Sequence, residues 1–385
     1  MIYLVIFIFF SYLVIRCDLN QNKRGTEAFL VFEAIVLILL FGLRYRLGAD
    51  SLNYEEEWTS MPKLEDLFEP ATWLFLQYQP LYYFFVAIVK TIADSFIFFQ
   101  FVHAIIVNTI IFYFINRYAE HKFTAVLFYF VFESLNYNTE ILRESLSICF
   151  FLLSFKYLLN RQWVKYYSFS FIAVGFHISA LICFVLPFFT PILMKQWRAQ
   201  KLILVITGFV LFSMIFQDIM SPILSMAIFS QTNQDKFIGY ADGVNYRTFG
   251  FYIFYVWRCS LYLFAALLMR SVCLNSKVNN FSINIMFVFA LAQLILPTVA
   301  GRWSGYFAII YYISMAEMFY YAKNYNTRMV SIVKFYIALL FFLNLNSFRQ
   351  EDSWNINKEK VAVRYFPYTS VFSMEKIPER ESLIR

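Results

Sequence analysis

The residues able to do chemistry fall in a few short strings. Arg44-Tyr45-Arg46-Leu47-Gly48-Ala49-Asp50 puts two arginines ahead of an acid, with Tyr54 four residues further on. Arg143 and Glu144 stand side by side where a long apolar run opens, and His177 follows Gly175-Phe176 where another run turns. Arg302 comes directly after Gly301, with Tyr306 nearby. Arginine keeps its charge and offers a planar fork to two oxygens at once, so these positions suit a phosphate. Arginines at Arg44, Arg143 and Arg302, gathered at one membrane face, would neutralise a diphosphate. Asp50 would then take a proton from a hydroxyl as general base. Tyr54, Glu144 and Tyr306 are further candidates for substrate contact, and Arg258 and Glu33 fall inside apolar runs, where charge is costly.

Each of these residues has a plainer reading, and the residues alone leave both open. Arg44 and Arg46 fit the snorkelling anchors of a helix end. Asp50 fits a helix cap. Arg143 with Glu144 fits a neutral pair, and His177 at a turn fits a satisfied structural group. Glu55, Glu56 and Glu57 read as a solvated face. The 3 histidines include no two at ligand spacing, and no metal or cofactor is expected. The five cysteines (Cys17, Cys149, Cys183, Cys259 and Cys273) lie in or beside apolar runs and read as buried thiols.

What must position these residues is a membrane bundle. Of 385 residues 61% are hydrophobic and only 15% charged, and the mean hydropathy is +0.59. A soluble domain carries about a quarter of charged residues. The fold class expected is therefore all-α, a polytopic integral membrane protein forming a single transmembrane domain over 1–385. Crossing the hydrocarbon takes about 17–25 apolar residues as helix. Candidate spans lie at 2–15, 28–43, 96–115, 141–159, 202–216, 249–269, 281–299, 306–321 and 329–345, with shorter runs at 80–93 and 123–135. The stretch 163–194 reads as a tight pair of helices turning near His177. Counting these gives about 11–13 transmembrane segments. Residues 1–15 read as a retained first helix with its N-terminus outside, because Arg16, Lys23 and Arg24 follow it.

The net charge of +7 has its source in cytoplasmic loops, so no nucleic-acid partner is expected. Basic clusters recur at Arg117 with Lys122, at Lys156 to Lys165, at Lys195 to Lys201, at Arg270 with Lys277 and at Lys323 with Arg328. The loop at 44–79 is acidic and is expected outside, as is a second loop at 217–247; a polar tail follows from 346 to 385. With every run a full span, Arg117 and Lys122 would land outside. One re-entrant segment between Pro80 and Leu135 returns the later clusters to the cytoplasm, and re-entrant backbone needs protein or a wet cavity around it.

The strings resemble a known family. Arg44-Tyr45-Arg46-Leu47-Gly48-Ala49-Asp50-Ser51-Leu52-Asn53-Tyr54 is similar to the Arg-Tyr-x-x-Gly-Thr-Asp-x-x-x-Tyr signature of the EpsG-like exopolysaccharide polymerases, relatives of Wzy. Arg143-Glu144-Ser145-Leu146-Ser147 resembles that family's Arg-Gln-x-Ile-Ala, and Ile172-Ala173-Val174-Gly175-Phe176-His177-Ile178-Ser179-Ala180 its Ile-Ala-x-x-Phe-His-x-Ser-Ala. Arg302 to Tyr306 and Tyr365-Phe366-Pro367-Tyr368 fit less specifically. Gln79-Pro80 stands where the family has Glu-Pro, and Glu144 where it has Gln.

The resemblance implies a fold like that of C-type glycosyltransferase-like membrane enzymes. It implies a polymerase joining polyprenyl-diphosphate-linked oligosaccharide repeat units at the outer face of the bacterial cytoplasmic (inner) membrane. Asp50, Arg143 and His177 would be catalytic, with Arg44, Tyr54, Glu144, Arg302 and Tyr306 binding substrate. The partners implied are membrane lipid, a chain-length regulator and a flippase. An O-antigen-type ligase or single-addition glycosyltransferase, a flippase for the same lipid, and a membrane acyltransferase are the competing readings.

Overall fold

The computed structural model describes the chain apart from residues 75, 199, 202–203, 206, 209–248, 273–275, 293–296, 325, 353–357 and 385. The expected second loop at 217–247 and nearly all of the expected span at 202–216 lie outside the described residues, as does the side chain of Arg258. The described chain is all-helical, 78% helix without strands. Three helical stretches are long and apolar enough to cross a membrane: Ile2–Leu19, Phe96–Tyr118 and Thr327–Ser347. Shorter apolar helices accompany them at Pro80–Ile92, Lys122–Phe132, Ile178–Leu193 and Ser260–Val272. This is a membrane protein. The chain divides into two compact units, Met1–Pro187 with Met315–Arg385, and Phe188–Ser314. The sequence reads as one domain because both units are built from the same apolar helices.

In the first unit, α1 (Ile2–Leu13) continues through a π-helical turn to Leu19 and is followed by α2 (Thr26–Gly42). The first loop holds α3 (Ala49–Glu57), then come α4 (Pro80–Ile92), α5 (Phe96–Tyr118), α6 (Lys122–Phe132), α7 (Leu142–Leu159), α8 (Trp163–Phe176) and the start of α9 (Leu181–Leu193). Leu13, Val14 and Cys17 of the first helix form a core cluster with Phe123 of α6. A group of polar residues inside these helices satisfies its own members, as hydrocarbon surroundings favour. Asn108 donates to Asn138 at 2.9 Å and accepts from Tyr129 at 2.9 Å. The turn near His177 is present: α8 ends at Phe176, His177 is extended, and one short turn leads into α9. Gly175 is required there, since a Cβ would come within 2.5 Å of Leu81 on α4.

One end of this unit gathers the basic turns. Lys122 reaches Glu27 at 3.0 Å, so the turn with Arg117 and Lys122 lies beside the turn with Lys23 and Arg24. The other end holds the first loop and the tail. Tyr3, near the N-terminus, meets the ring of Phe366 at 5.1 Å. Helix α4 has both its ends on the first loop. Beside its start, the Tyr78 hydroxyl donates to Glu57 at 2.6 Å. Near its finish, Lys90 Nζ donates to the carbonyls of Trp58 and Met61, both at 2.7 Å.

The second unit contains α10 (Phe249–Val272), α11 (Lys277–Ala292) and the start of α12 (Pro297–Tyr321). Asn284 of α11 donates to Leu193 O and Lys195 O at 2.7 and 2.8 Å. Arg302 was expected between the spans at 281–299 and 306–321. The structure corrects this: Pro297 opens a continuous helix, a first-turn position that proline favours, and Arg302 lies inside α12. The last long helix, α13 (Thr327–Ser347), belongs to the first unit and leads into the tail.

Candidate active site

The loop that carries Asp50 is stitched to the tail and to the segment before α7. Tyr45 N donates to Thr369 O, Val371 N to Leu43 O and Gly48 N to Arg364 O, each at 3.0 Å. Gly48 has φ of +92°, a conformation open to glycine, and a Cβ there would strike Thr139 at 2.6 Å. Helix α3 starts immediately after. Its first backbone N–H groups are taken by Glu140, whose carboxylate accepts from Ala49 N at 3.1 Å and from Asp50 N at 3.2 Å. Asp50 is exposed in the first turn, where a negative charge is favoured by the helix dipole. Tyr54, one turn on, shares its face.

From Tyr54 the site continues to Arg143. Arg143 Nε donates to the Tyr54 hydroxyl at 2.7 Å. Its guanidinium carbon lies 3.9 Å from the centre of the Tyr78 ring and 5.8 Å from those of Tyr54 and Tyr82. Such a box holds a cation by its ring faces and leaves the fork for oxygen ligands. Among the described residues no carboxylate pairs with Arg143. Burial and the bond to Glu57 hold the Tyr78 phenol above its ordinary pKa, so it stays neutral.

Glu144, the next residue, is buried and accepts from Ser179 Oγ at 2.8 Å. Ser179 Oγ in turn meets His177 Nδ1 at 2.6 Å. Ser179 N also donates to His177 Nδ1, at 3.3 Å, so the serine holds the ring by both its hydroxyl and its backbone. The acid that His177 lacks in its own stretch of sequence is therefore supplied by Glu144 through Ser179.

Arg44, Arg46, Arg364 and Arg380, also at this end, are committed to protein. Arg44 is wholly buried; it donates to Phe41 O and, at 3.1 Å, to Ser51 Oγ. Burial lowers its pKa to about 10, which leaves it charged at neutral pH. Its contacts brace the loop, so the structure gives it a scaffolding place in contrast to the substrate contact read from sequence. Arg46 pairs with Glu381 at 2.7 Å, Glu56 at 3.1 Å and Glu55 at 3.3 Å. Burial opposes its charge, but these carboxylates hold its pKa above the usual value. Arg364 pairs with Glu140 at 3.3 Å and with Asp352. Arg380 is buried on the carbonyls of Arg46, Val363 and Pro367. Arg302 is exposed and Tyr306 buried, both in the second unit, and the site described here is built without them.

One further group, at the other end of the first unit, has donor atoms within 4.8 Å of one another: Glu120, His121 and Glu317. Its carboxylate oxygens are already engaged. Glu317 accepts from Glu120 N at 2.8 Å and from His121 Nδ1 at 3.1 Å.

The model of the EpsG family matches residues 27–370, from the first turn of α2 to the tail residue that bridges to Arg44. The chain belongs to the EpsG family. Searches of curated proteins and of solved structures returned no match. EpsG membership makes it, broadly, an exopolysaccharide polymerase-type membrane enzyme. The structure brings together four elements of the EpsG-like strings, namely Asp50, Tyr54, the pair Arg143–Glu144, and His177 with Ser179. Sequence reasoning gave no role to Ser179, though it stood in a quoted string. It passed over Tyr78 and Tyr82, which flank Gln79-Pro80, and Glu140, which no local pattern marks.

Proposed function

We propose that this chain joins polyprenyl-diphosphate-linked oligosaccharide repeat units into a surface or secreted polysaccharide at the outer face of the bacterial cytoplasmic membrane. The observation that carries this reading is Arg143, caged by three tyrosines with no carboxylate partner among the described residues, beside the helix that presents Asp50. In the reaction an acceptor hydroxyl oxygen bonds to the anomeric carbon of the donor sugar, and the bond from that carbon to phosphate oxygen breaks. Asp50 takes the hydroxyl proton. The electron pair leaves with the polyprenyl diphosphate, whose growing charge Arg143 neutralises; fixed charge aimed at a developing charge is an effective use of a site. His177, backed by Ser179 and Glu144, orients an oxygen or relays a proton. Arg44 keeps the loop in place.

The outer-face assignment is supported by charge and by α4. The basic turns share one end of the first unit and the acidic loop the other, as the positive-inside rule expects. Helix α4, at 13 residues, spans about 20 Å, short of the roughly 30 Å hydrocarbon core. With both ends on the first loop, it fits the re-entrant segment that the charge pattern called for. A chain-length regulator and a flippase fit the same reading as partners.

The test is the length distribution of surface glycan with the gene deleted and then restored. A ladder that collapses to one repeat unit on its carrier, and returns on restoration, is the expected result. Unchanged chain length with glycan lost from the surface would favour a ligase or a flippase and end the polymerase reading.

A further inference from the structure

Glu140 lies outside the family strings, yet it is the residue on which the parts of the site converge. It closes the π-helical turn Asn136–Glu140 and sits on the same short segment as Arg143 and Glu144. It is 8% exposed, and four donors surround its carboxylate. Ala49 N and the Tyr365 hydroxyl approach Oε1 at 3.1 and 2.8 Å. Asp50 N and Arg364 Nη1 approach Oε2 at 3.2 and 3.3 Å. Two of these donors are the backbone of the Asp50 turn, and two come from the tail.

A buried carboxylate is costly unless its oxygens are satisfied. Here the satisfaction depends on α3 and the tail both being seated. The segment that positions Arg143 thus also fixes the backbone of Asp50. In a displacement at a sugar carbon, the proton acceptor and the leaving-group cation must stand at a set separation. We propose that Glu140 is a positioning residue that sets this separation, with Tyr365 and Arg364 of the tail as its supports; the proposal rests on the general-base reading of Asp50. Glutamine cannot replace it, because its amide NH2 would face one of the N–H donors. Aspartate keeps the charge and both acceptors, one methylene shorter.

The experiment uses the full chain in lipid nanodiscs, with lipid-linked oligosaccharide extracted from a deletion strain as donor and acceptor. For Glu140→Gln the expected result is a kcat lower by about a hundredfold, the size of effect a misplaced reacting group produces. KM should stay unchanged, since Arg143 still binds the donor, and Glu140→Asp should recover much of the rate. Tyr365→Phe should lose less in the same direction. Combined with Asp50→Asn, Glu140→Gln should add little further loss, because it acts through Asp50. A parental kcat in Glu140→Gln, or a full additional loss in the double variant, would overturn the proposal while leaving Asp50 as base. A parental kcat in Asp50→Asn would overturn the general-base reading, and the positioning role with it.

Discussion

The two ends of the first unit are both polar, and they handle their charges in opposite ways. At the α5–α6 turn the polar groups close on one another. Asp18 accepts from Thr124 N and Oγ1 at 2.8 and 2.9 Å, and the Thr124 hydroxyl meets the Tyr320 hydroxyl at 2.7 Å. Tyr320 stacks on His121 with ring centres 3.7 Å apart, and His121 bonds to Glu317. At the α3–α7 end the protein spends carboxylates on Arg46 and Arg364, and among the described residues Arg143 is held by tyrosines. The first arrangement holds helices together. The second, on the proposed function, keeps a cation for the lipid diphosphate. Charge content alone does not separate the two ends; the partner of each charge does.

Substitutions at the two ends should therefore divide by readout. Asp50→Asn should lower kcat by about 10²–10⁴-fold, the range for a lost general base, with thermal stability in nanodiscs unchanged. Arg143→Ala should lower kcat by about 10²–10³-fold, and Arg143→Lys should recover little, because lysine lacks the planar fork. Ser179→Ala breaks the path from Glu144 to His177 and should cost about tenfold in kcat, below the full acid–base range. At the other end, Glu317→Gln should leave the rate alone and destabilise by about 1–3 kcal/mol, through N–H donors left without a full acceptor; thermal unfolding would show it. A rate loss in Glu317→Gln with unchanged stability would erase the distinction between the ends.

Much of this was readable in the sequence, and the misses have physical causes. Asp50, Tyr54, Arg143 and His177 stood out because ionisable or polar groups beside apolar runs are few. The turn near His177 was legible because 163–194 is too long for one crossing. Arg44 was read as a substrate contact because sequence shows a charge but not which way it turns; here it turns inward to Phe41 O and Ser51. Arg302 was set between spans because the apolar runs stop at 299 and resume at 306, whereas the helix that starts at Pro297 continues through it. Glu140 and the tail were invisible as site elements. Their bonds to the Asp50 loop join residues 90 and more positions apart, and no periodicity records such a contact.

The central claim is that Arg143 is kept for a diphosphate leaving group. The direct measurement is release of polyprenyl diphosphate, counted against glycosidic bonds formed, by the parental protein and Arg143→Ala in nanodiscs. The account predicts one diphosphate lipid released for each new bond and a large loss of both in the variant. A parental rate in Arg143→Ala, or bonds formed without release of the diphosphate lipid, would contradict it.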